Sequence, residues 1–308
     1  MAVETEVLAA DLLERVLERL GFADRPAPTL QNLHTLYAAW CRRVPFDNVQ
    51  KLIYMHDHDP GPLPGDDAAD FFADWLRHGT GGTCWAGNGG LYALLASLGF
   101  SVSRGIGSML SSPNVPPNHG TVVVELDGSH YMVDASILHS DPLRLDEAEE
   151  TKIVQPAWGV DCRKQDGRWH IRLRPLHTPS GIDCRIERLG VPPETFREMH
   201  ETTRAWSPFN YELSARLLRG DAIVGAAFGQ RVTLDGAGGV QQGPLAEQDR
   251  VGLLVDVLGM SEEIARRLPP DTPTPPAPWA RSPGESWLGK RSEGTTPSPF
   301  AGEGWGGG

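Results

Sequence analysis

The spacing of apolar residues changes near residue 100, and this change limits the folds open to the chain. Before it, apolar residues recur every three or four positions in segments between residues 11 and 98, which predicts helices. After it, the β-rich runs 122–124 and 131–133 flank Asp127-Gly128, a strong signal for a β-hairpin. A helical part followed by an antiparallel part predicts the α+β class.

The chain is long enough, at 308 residues, to form two or three structured parts. We expect a helical bundle in residues 1–98, an antiparallel sheet or barrel in 99–192, and a mixed α/β part in 193–268. After Leu268 the composition turns to Pro, Gly, Ser and Thr, so residues 269–308 are predicted to be a disordered tail.

Charge and hydropathy set aside several classes of function. The net charge of −12 argues against a nucleic-acid-binding surface. No apolar run is long enough to span a bilayer, and residues 1–6 lack the basic and apolar pattern of a signal peptide, so no membrane association and a cytoplasmic location are expected. No Cys-x-x-Cys pair is present, and the 56–59 His-Asp-His-Asp run lacks further ligands, so no metal site is expected.

One of the four cysteines stands at the predicted start of a helix. Cys84 follows Gly81-Gly82-Thr83, and the leucine pattern of helical spacing behind it predicts an amphipathic helix that ends at Gly99. The unpaired N–H groups and the dipole of a helix start favour an anion, so Cys84 is placed to react as a thiolate. A buried, inert cysteine on a glycine-rich turn is the alternative explanation of this segment.

The hairpin brings a histidine and a carboxylate to one face. With Asp127-Gly128 as a two-residue loop, Leu126 pairs with Ser129, and His119 and Asp134 become diagonal neighbours about 7–8 Å apart. That arrangement suits a relay in which the carboxylate orients the imidazole that serves Cys84. The alternative is that these residues belong to a polar, solvent-facing side of the sheet.

Several sequence features follow one another in order along the chain. They are residues 43–48 (Arg-Val-Pro-Phe-Asp-Asn), 81–88 (Gly-Gly-Thr-Cys-Trp-Ala-Gly-Asn), His119 at a strand start, 133–134 (Val-Asp) and 207–209 (Ser-Pro-Phe). In this order and spacing, over about residues 8–268, the sequence resembles the arylamine N-acetyltransferase family.

The resemblance implies a helical bundle, an antiparallel β-barrel and an α/β lid with a cysteine-protease-like Cys-His-Asp core. It implies that acetyl-CoA, as a cosubstrate and not a bound cofactor, acylates the cysteine and that an arylamine-type acceptor then takes the acetyl group. On matching positions it assigns these catalytic roles: Cys84 as nucleophile, His119 as base and Asp134 as its orienter. The residues that it places in the substrate pocket are Phe46, Trp85, Ile137 and Phe209.

Three positions depart from the pattern of that family. Thr80 stands where the family usually has arginine, Ala86 where it has an acidic residue, and Ile137 where it has an aromatic ring after the aspartate. Loss of that ring from the pocket wall predicts a wider pocket, tolerance of longer acyl groups and weaker selectivity for simple arylamines.

Other functions fit the same three catalytic residues. An amide synthase of the same family takes a longer acyl chain, with an acyl carrier protein as a possible partner. A cysteine hydrolase or a transglutaminase-like enzyme uses a Cys-His-Asp triad as well. A protein that keeps the fold only to bind a ligand is the non-enzymatic alternative, and the intact triad argues against it.

Overall fold

The computed structural model describes residues 6–111 and 115–276. Five helices form its amino-terminal part, and capping residues set their bounds. Thr29 accepts a hydrogen bond from the Asn32 N–H and Asp67 accepts from the Ala69 N–H, while Gly21 ends the first helix in the left-handed conformation, as the sequence predicts. The helices are α1 (Ala10–Leu20), α2 (Leu30–Arg43), α3 (Val49–His56), α4 (Ala68–His78) and α5 (Cys84–Ser97).

Helix α5 lies in the interior of the molecule. The sequence predicts an amphipathic helix here, but almost every residue from Cys84 to Leu95 is buried, so that prediction was wrong. The physical reason is the position of α5, which contacts α4, two strands of the antiparallel sheet and a helix from the third part of the chain. A helix covered on all sides has no solvent face to fill with polar residues.

Eight antiparallel strands form a nearly closed barrel. The strand order is β5-β4-β3-β2-β9-β8-β7-β6, and the two outer strands of this order contact each other. The strands are β2 (Ser101–Met109), β3 (His119–Leu126), β4 (Ser129–Val133), β5 (Leu143–Leu145), β6 (Thr151–Ile153), β7 (Val160–Gln165), β8 (Arg168–Leu173) and β9 (Ile182–Leu189).

The hairpin of β3 and β4 has the predicted register. Leu126 pairs with Ser129, and the ladder continues to Val122 opposite Val133. Asp127 and Gly128 both have positive φ, at 50° and 74°, as the tight two-residue hairpin turn requires. The register places Val122 in the core shared with the helices and Val123 in the core inside the barrel. The predicted hairpin and the α+β class are confirmed.

The third part carries a five-stranded antiparallel sheet and short helices. Its strand order is β1-β10-β11-β12-β13, and β1 comes from the amino-terminal part, so this sheet crosses the boundary that the sequence predicts at residue 193. Within the described residues, no helix has the length and apolarity needed to span a membrane. The elements are β1 (Phe46–Asp47), β10 (Ser214–Arg219), β11 (Ala222–Ala227), β12 (Gln230–Leu234), β13 (Val240–Pro244), α6 (Pro193–Thr202), α7 (Glu247–Gly252), a π-helical turn (Leu253–Val257) and α8 (Glu262–Ala265).

The beginning of the predicted disordered tail in fact packs on this third part of the structure, which is called the lid below. Asp271 accepts hydrogen bonds from the Leu213 N–H at 2.9 Å and from Arg250 Nη2 at 2.7 Å, and the Thr272 N–H donates to the Tyr211 carbonyl. A segment poor in apolar residues is ordered here by polar contacts, which the composition does not reveal. Residues 269–276 therefore correct the predicted boundary, and 277–308 lie outside the described residues.

Two truncations test this docked segment. Ending the chain after Leu268 leaves the buried Arg250 without its carboxylate partner, so the free energy of unfolding should fall by about 1–3 kcal/mol. Ending it after Pro276 keeps the contacts and serves as the matched control. Urea unfolding of both forms measures the difference, and identical midpoints would contradict a stabilising role for Asp271.

Candidate active site

Cys84 opens α5 at the end of a tightly packed glycine loop. A Cβ atom on Gly81 would lie 1.7 Å from the Pro45 carbonyl oxygen, so only glycine fits there. The loop is held by Asp47, whose carboxylate accepts a 2.6 Å hydrogen bond from the Gly81 N–H and one from the Val49 N–H. Burial raises the pKa of Asp47 to about 6 against the lowering effect of these hydrogen bonds. Asp47 thus fixes the backbone that presents Cys84.

His119 and Asp134 form a buried pair beside Cys84. His119 Nε2 lies 2.7 Å from Asp134 Oδ2, and their side chains are 2% and 0% exposed. His119 begins β3 and Asp134 follows β4, so the hairpin register brings them together. Their burial rules out a solvent-facing polar side of the sheet. The three residues predicted from sequence as the triad meet at one place: Cys84 and His119 line the same cavity, and the Cys84 sulfur lies 3.9 Å from the carbonyl oxygen of Asn118, the residue before His119.

Electrostatics favours the charged form of both partners. Burial opposes a charged imidazole, but the Asp134 carboxylate outweighs it and raises the pKa of His119 to about 10. Burial likewise opposes a charged carboxylate, but His119 and local hydrogen bonds hold the pKa of Asp134 below its ordinary value. Around neutral pH the pair is therefore an imidazolium and a carboxylate.

The Asp134 carboxylate is held by the turn that follows it. Its Oδ1 accepts hydrogen bonds from the Ser136 N–H at 2.9 Å, the Ser136 hydroxyl at 2.8 Å and the Ile137 N–H at 2.9 Å. On its backbone, the Asp134 N–H donates to the Tyr37 hydroxyl, which donates to the Asp134 carbonyl. Oδ2 is left for His119, so the imidazole has one fixed orientation.

Asn88 connects the three elements that carry the triad. It lies one turn after Cys84 on α5, and its Nδ2 donates to the Cys84 carbonyl at 3.0 Å and to the Gly120 carbonyl at 2.7 Å. Its Oδ1 accepts from the Ala135 N–H at 3.0 Å. The sequence offers no sign of this role beyond the four-residue spacing from Cys84, because the partners of Asn88 lie 32 and 47 positions away.

A cavity of about 100 Å³ opens onto Cys84 and His119. Phe46, Trp85 and Phe209 lie in its wall, as predicted, and the ring centroids of Phe46 and Phe209 are 5.3 Å apart. Further apolar wall residues come from the barrel and the loop after β8: Met109, Leu173, Pro175, Leu176 and Ile182.

Ile137 does not lie in the wall of this cavity. Its side chain is 4% exposed and packs with Val123 and Met132 in the core inside the barrel. The turn after Asp134 uses the Ile137 N–H to hold the carboxylate and directs the side chain away from Cys84. The predicted effect of this position on pocket width and on selectivity therefore loses its structural basis.

Two buried cations in the cavity wall were missed in the sequence. Lys51 lies on α3 and Arg216 on β10, with exposures of 5% and 7%. The available signal was a charged residue inside an otherwise apolar stretch, such as Arg216 between Ala215 and Leu217. Isolated charges in such stretches usually reach solvent, so nothing in the sequence indicated that these two line the same cavity as Cys84.

The remaining cysteines lie in packed regions. Burial raises the pKa of Cys41 to about 12 and that of Cys162 to about 11, and it also raises the pKa of Cys184. Such thiols stay protonated and packed at neutral pH. Among residues 6–111 and 115–276, no three His, Cys, Asp or Glu side chains are grouped as ligands for a metal ion.

Comparison with known proteins gives relatives of one kind. A family model described as N-acetyltransferase matches residues 29–172. The arylamine N-acetyltransferase of Mycolicibacterium smegmatis is 31% identical over 140 residues, which are 42% of this chain and 49% of that protein. That of Mycobacterium tuberculosis is 30% identical over 164 residues, 50% of this chain and 54% of that protein. The chain thus spans about half the length of the curated relatives it matches.

Solved structures share the whole fold at lower sequence identity. The arylamine N-acetyltransferase from Mycobacterium abscessus has a TM-score of 0.70 at 17% identity, over 83% of this chain and 92% of that one. The Mycobacterium marinum enzyme in complex with CoA has a TM-score of 0.70 at 20% identity, over 83% of this chain and 97% of that one. These likenesses establish the fold, including the barrel and the lid.

Selective alkylation tests the assignment of Cys84. At pH 7, iodoacetamide should modify Cys84 before Cys41, Cys162 and Cys184, because Cys84 faces the cavity while burial raises the pKa of the other three thiols. Peptide mapping at partial modification measures the order. First modification at any of the other three would contradict the assignment, and Cys84→Ser should remove the fastest phase.

A double-mutant cycle tests the relay. His119→Ala and Asp134→Asn should each slow alkylation of Cys84 at pH 7 by at least about tenfold, because each removes the charged imidazole beside the thiol. The double mutant should be no slower than His119→Ala alone, since the pair acts as a unit. The exposed pair His34 and Asp141 supplies matched control substitutions, His34→Ala and Asp141→Asn, which should leave the rate unchanged. Mild effects that add would contradict the relay.

Proposed function

We propose, on the ground of its similarity to arylamine N-acetyltransferases, that this chain transfers an acetyl group from acetyl-CoA to an arylamine-type acceptor through a Cys84 thioester. The observation that carries the proposal is the buried His119–Asp134 pair near a cysteine at a helix start, with Cys84 and His119 in the wall of one cavity. Such an arrangement suits acyl transfer, which needs a nucleophile, a proton carrier and a group that orients the carrier.

In the first half-reaction the Cys84 sulfur attacks the thioester carbonyl carbon of acetyl-CoA. A bond forms between Sγ and this carbon, and the bond from the carbon to the CoA sulfur breaks. The imidazolium of His119 gives its proton to the departing CoA sulfur, so CoA leaves as a thiol and His119 becomes neutral. The N–H groups at the start of α5 favour the negative charge on the sulfur before the attack and the charge that develops on the carbonyl oxygen during it.

In the second half-reaction the amine attacks the carbonyl carbon of the Cys84 thioester. Neutral His119 accepts the proton that the amine loses, the bond from the carbon to Sγ breaks, and Cys84 leaves as a thiolate beside the restored imidazolium. Asp134 keeps the imidazole in one orientation throughout, because its other oxygen is held by the turn at 136–137. Both half-reactions share one cavity, which suits a ping-pong sequence.

The proposal includes a cytoplasmic location. Cys84 has to remain reduced to act, and the described cysteines are all free thiols, as is usual in a reducing compartment. The relatives found by comparison are named for acetyl transfer to arylamines, and none is named for an acyl carrier protein. Acetyl-CoA and a small amine are therefore the proposed substrates.

Intact-mass analysis tests the first half-reaction. Mixing the full chain with acetyl-CoA and no amine should add one acetyl group, which peptide mapping should place on Cys84, because this cysteine lines the cavity together with His119. Adding aniline should remove the acetyl group and yield acetanilide. Cys84→Ala should stay unmodified, and Cys162→Ala is the matched control that should still be acetylated.

Three outcomes would overturn this account. Acetylation of another cysteine would contradict the nucleophile. Loss of the acetyl group to water as fast as to aniline would indicate a hydrolase. Acylation by a longer acyl-CoA but not by acetyl-CoA would indicate an amide synthase instead.

A further inference from the structure

Lys51 is buried in the cavity wall without a carboxylate partner among the described residues. Its Nζ donates a 2.7 Å hydrogen bond to the hydroxyl of Thr203, which is neutral and itself donates to the His200 carbonyl. Glu201, which lies in α6, has its carboxylate in an ion pair with Arg204. Burial lowers the pKa of Lys51 to about 7, and the Cys84 sulfur opposes that shift. The Lys51 ammonium group therefore lines the cavity with one neutral hydrogen-bond partner and no carboxylate partner among the described residues.

Arg216 lies in the wall of the same cavity and is also incompletely satisfied. Its guanidinium donates to the Ser136 carbonyl and lies 5.1 Å from the centre of the Phe46 ring. Its Nε is buried and, within the described residues, has no hydrogen-bond partner. The negative charge of Asp134 attracts the Arg216 guanidinium from a distance, but the Asp134 carboxylate is already paired with His119. A buried guanidinium usually binds a carboxylate or a phosphate through two parallel hydrogen bonds.

The charges around the cavity do not balance. His119 and Asp134 neutralise each other, Glu201 is paired with Arg204, and Cys84 is the acidic group near both Lys51 and Arg216. An acyl group on Cys84 removes that acidic group from the vicinity of both cations. Much of the remaining wall is apolar, so neither charge is compensated there. Buried charges without partners are unfavourable, which points to an anion supplied by a substrate.

We propose that Lys51 and Arg216 bind a carboxylate carried by one of the two substrates, close to the atom that Cys84 attacks or releases. The inference rests on the proposed function and narrows its substrate class. The carboxylate has two possible sources: the far end of a dicarboxylic acyl group on the CoA thioester, or the ring of an aromatic amine. The phosphates of CoA do not serve, because the pantetheine arm separates them from the thioester that must reach Cys84.

Matched ligand pairs test the inference without any acyl transfer. The Cys84→Ala form, which cannot be acylated there, is titrated by calorimetry with malonyl-CoA and with isovaleryl-CoA, which has two methyl groups in place of the two carboxylate oxygens. It is titrated separately with 4-aminobenzoate and with the uncharged 4-aminobenzamide. In one of these pairs the carboxylate should bind at least about tenfold more tightly than its neutral partner, because charge-assisted hydrogen bonds then form. The pair that shows the preference identifies the source.

Substitutions of the two cations then locate the effect. Lys51→Met and Arg216→Met keep the approximate length of each side chain and remove its charge, so each should reduce the preference for the carboxylate several-fold. Lys152→Met removes an exposed lysine on the barrel and should leave the preference unchanged. Thermal unfolding shows which variants fold, and the comparison of ligands on Cys84→Ala stands if one of them does not.

Two results would overturn the inference. Equal binding within both ligand pairs would show that the cations do not bind a carboxylate. A preference that survives in both methionine variants would place the carboxylate elsewhere. Failure of the proposed function would give a different result, namely no acylation of wild-type Cys84 by acetyl-CoA or by malonyl-CoA while the preference in binding persists.

Discussion

The 2.7 Å contact between His119 and Asp134 is the interaction on which the rest of the structure depends. An ion pair excluded from water is stable only where every remaining lone pair and proton is satisfied. Each part of the molecule contributes to that: Tyr37 from the helices, Asn88 from α5 and the turn at 136–137 from the barrel. The packing of helices, barrel and lid around one buried charge pair explains why α5 lies in the interior.

The lid gives the site its charge and part of its apolar wall. β1, which carries Phe46, pairs with β10, which carries Arg216, and the two residues are direct cross-strand partners. One short ladder therefore fixes an aromatic wall residue and a buried cation together. The same segment continues through Asp47, which holds the glycine loop before Cys84. The site is thus joined to the lid by backbone pairing as well as by side-chain packing, and its shape depends on the lid being closed on the bundle.

Local signals in the sequence were sufficient for much of the catalytic core. The Asp127-Gly128 turn set the register that brought His119 to Asp134, and the glycine loop before a leucine pattern placed Cys84 at a helix start. Signals of this kind act over a few residues, so they can be read without a fold. Ile137 was misplaced because a family pattern gives a position but not the direction in which a side chain points. Residues 269–276 were misassigned because polar contacts over long sequence separations order them.

The sequence by itself determined the class of the fold and indicated Cys84, His119 and Asp134 as the candidate triad, since periodicity, turn chemistry and helix capping are local properties of the chain. Only the tertiary structure decided the surroundings of those groups. Lys51 and Arg216 are ordinary charged residues in the sequence, and they become buried and unpaired only when α3 and β10 close on the barrel. Burial and the nearest charge are both determined by residues far apart in the chain, and together they set the pKa of an ionisable group.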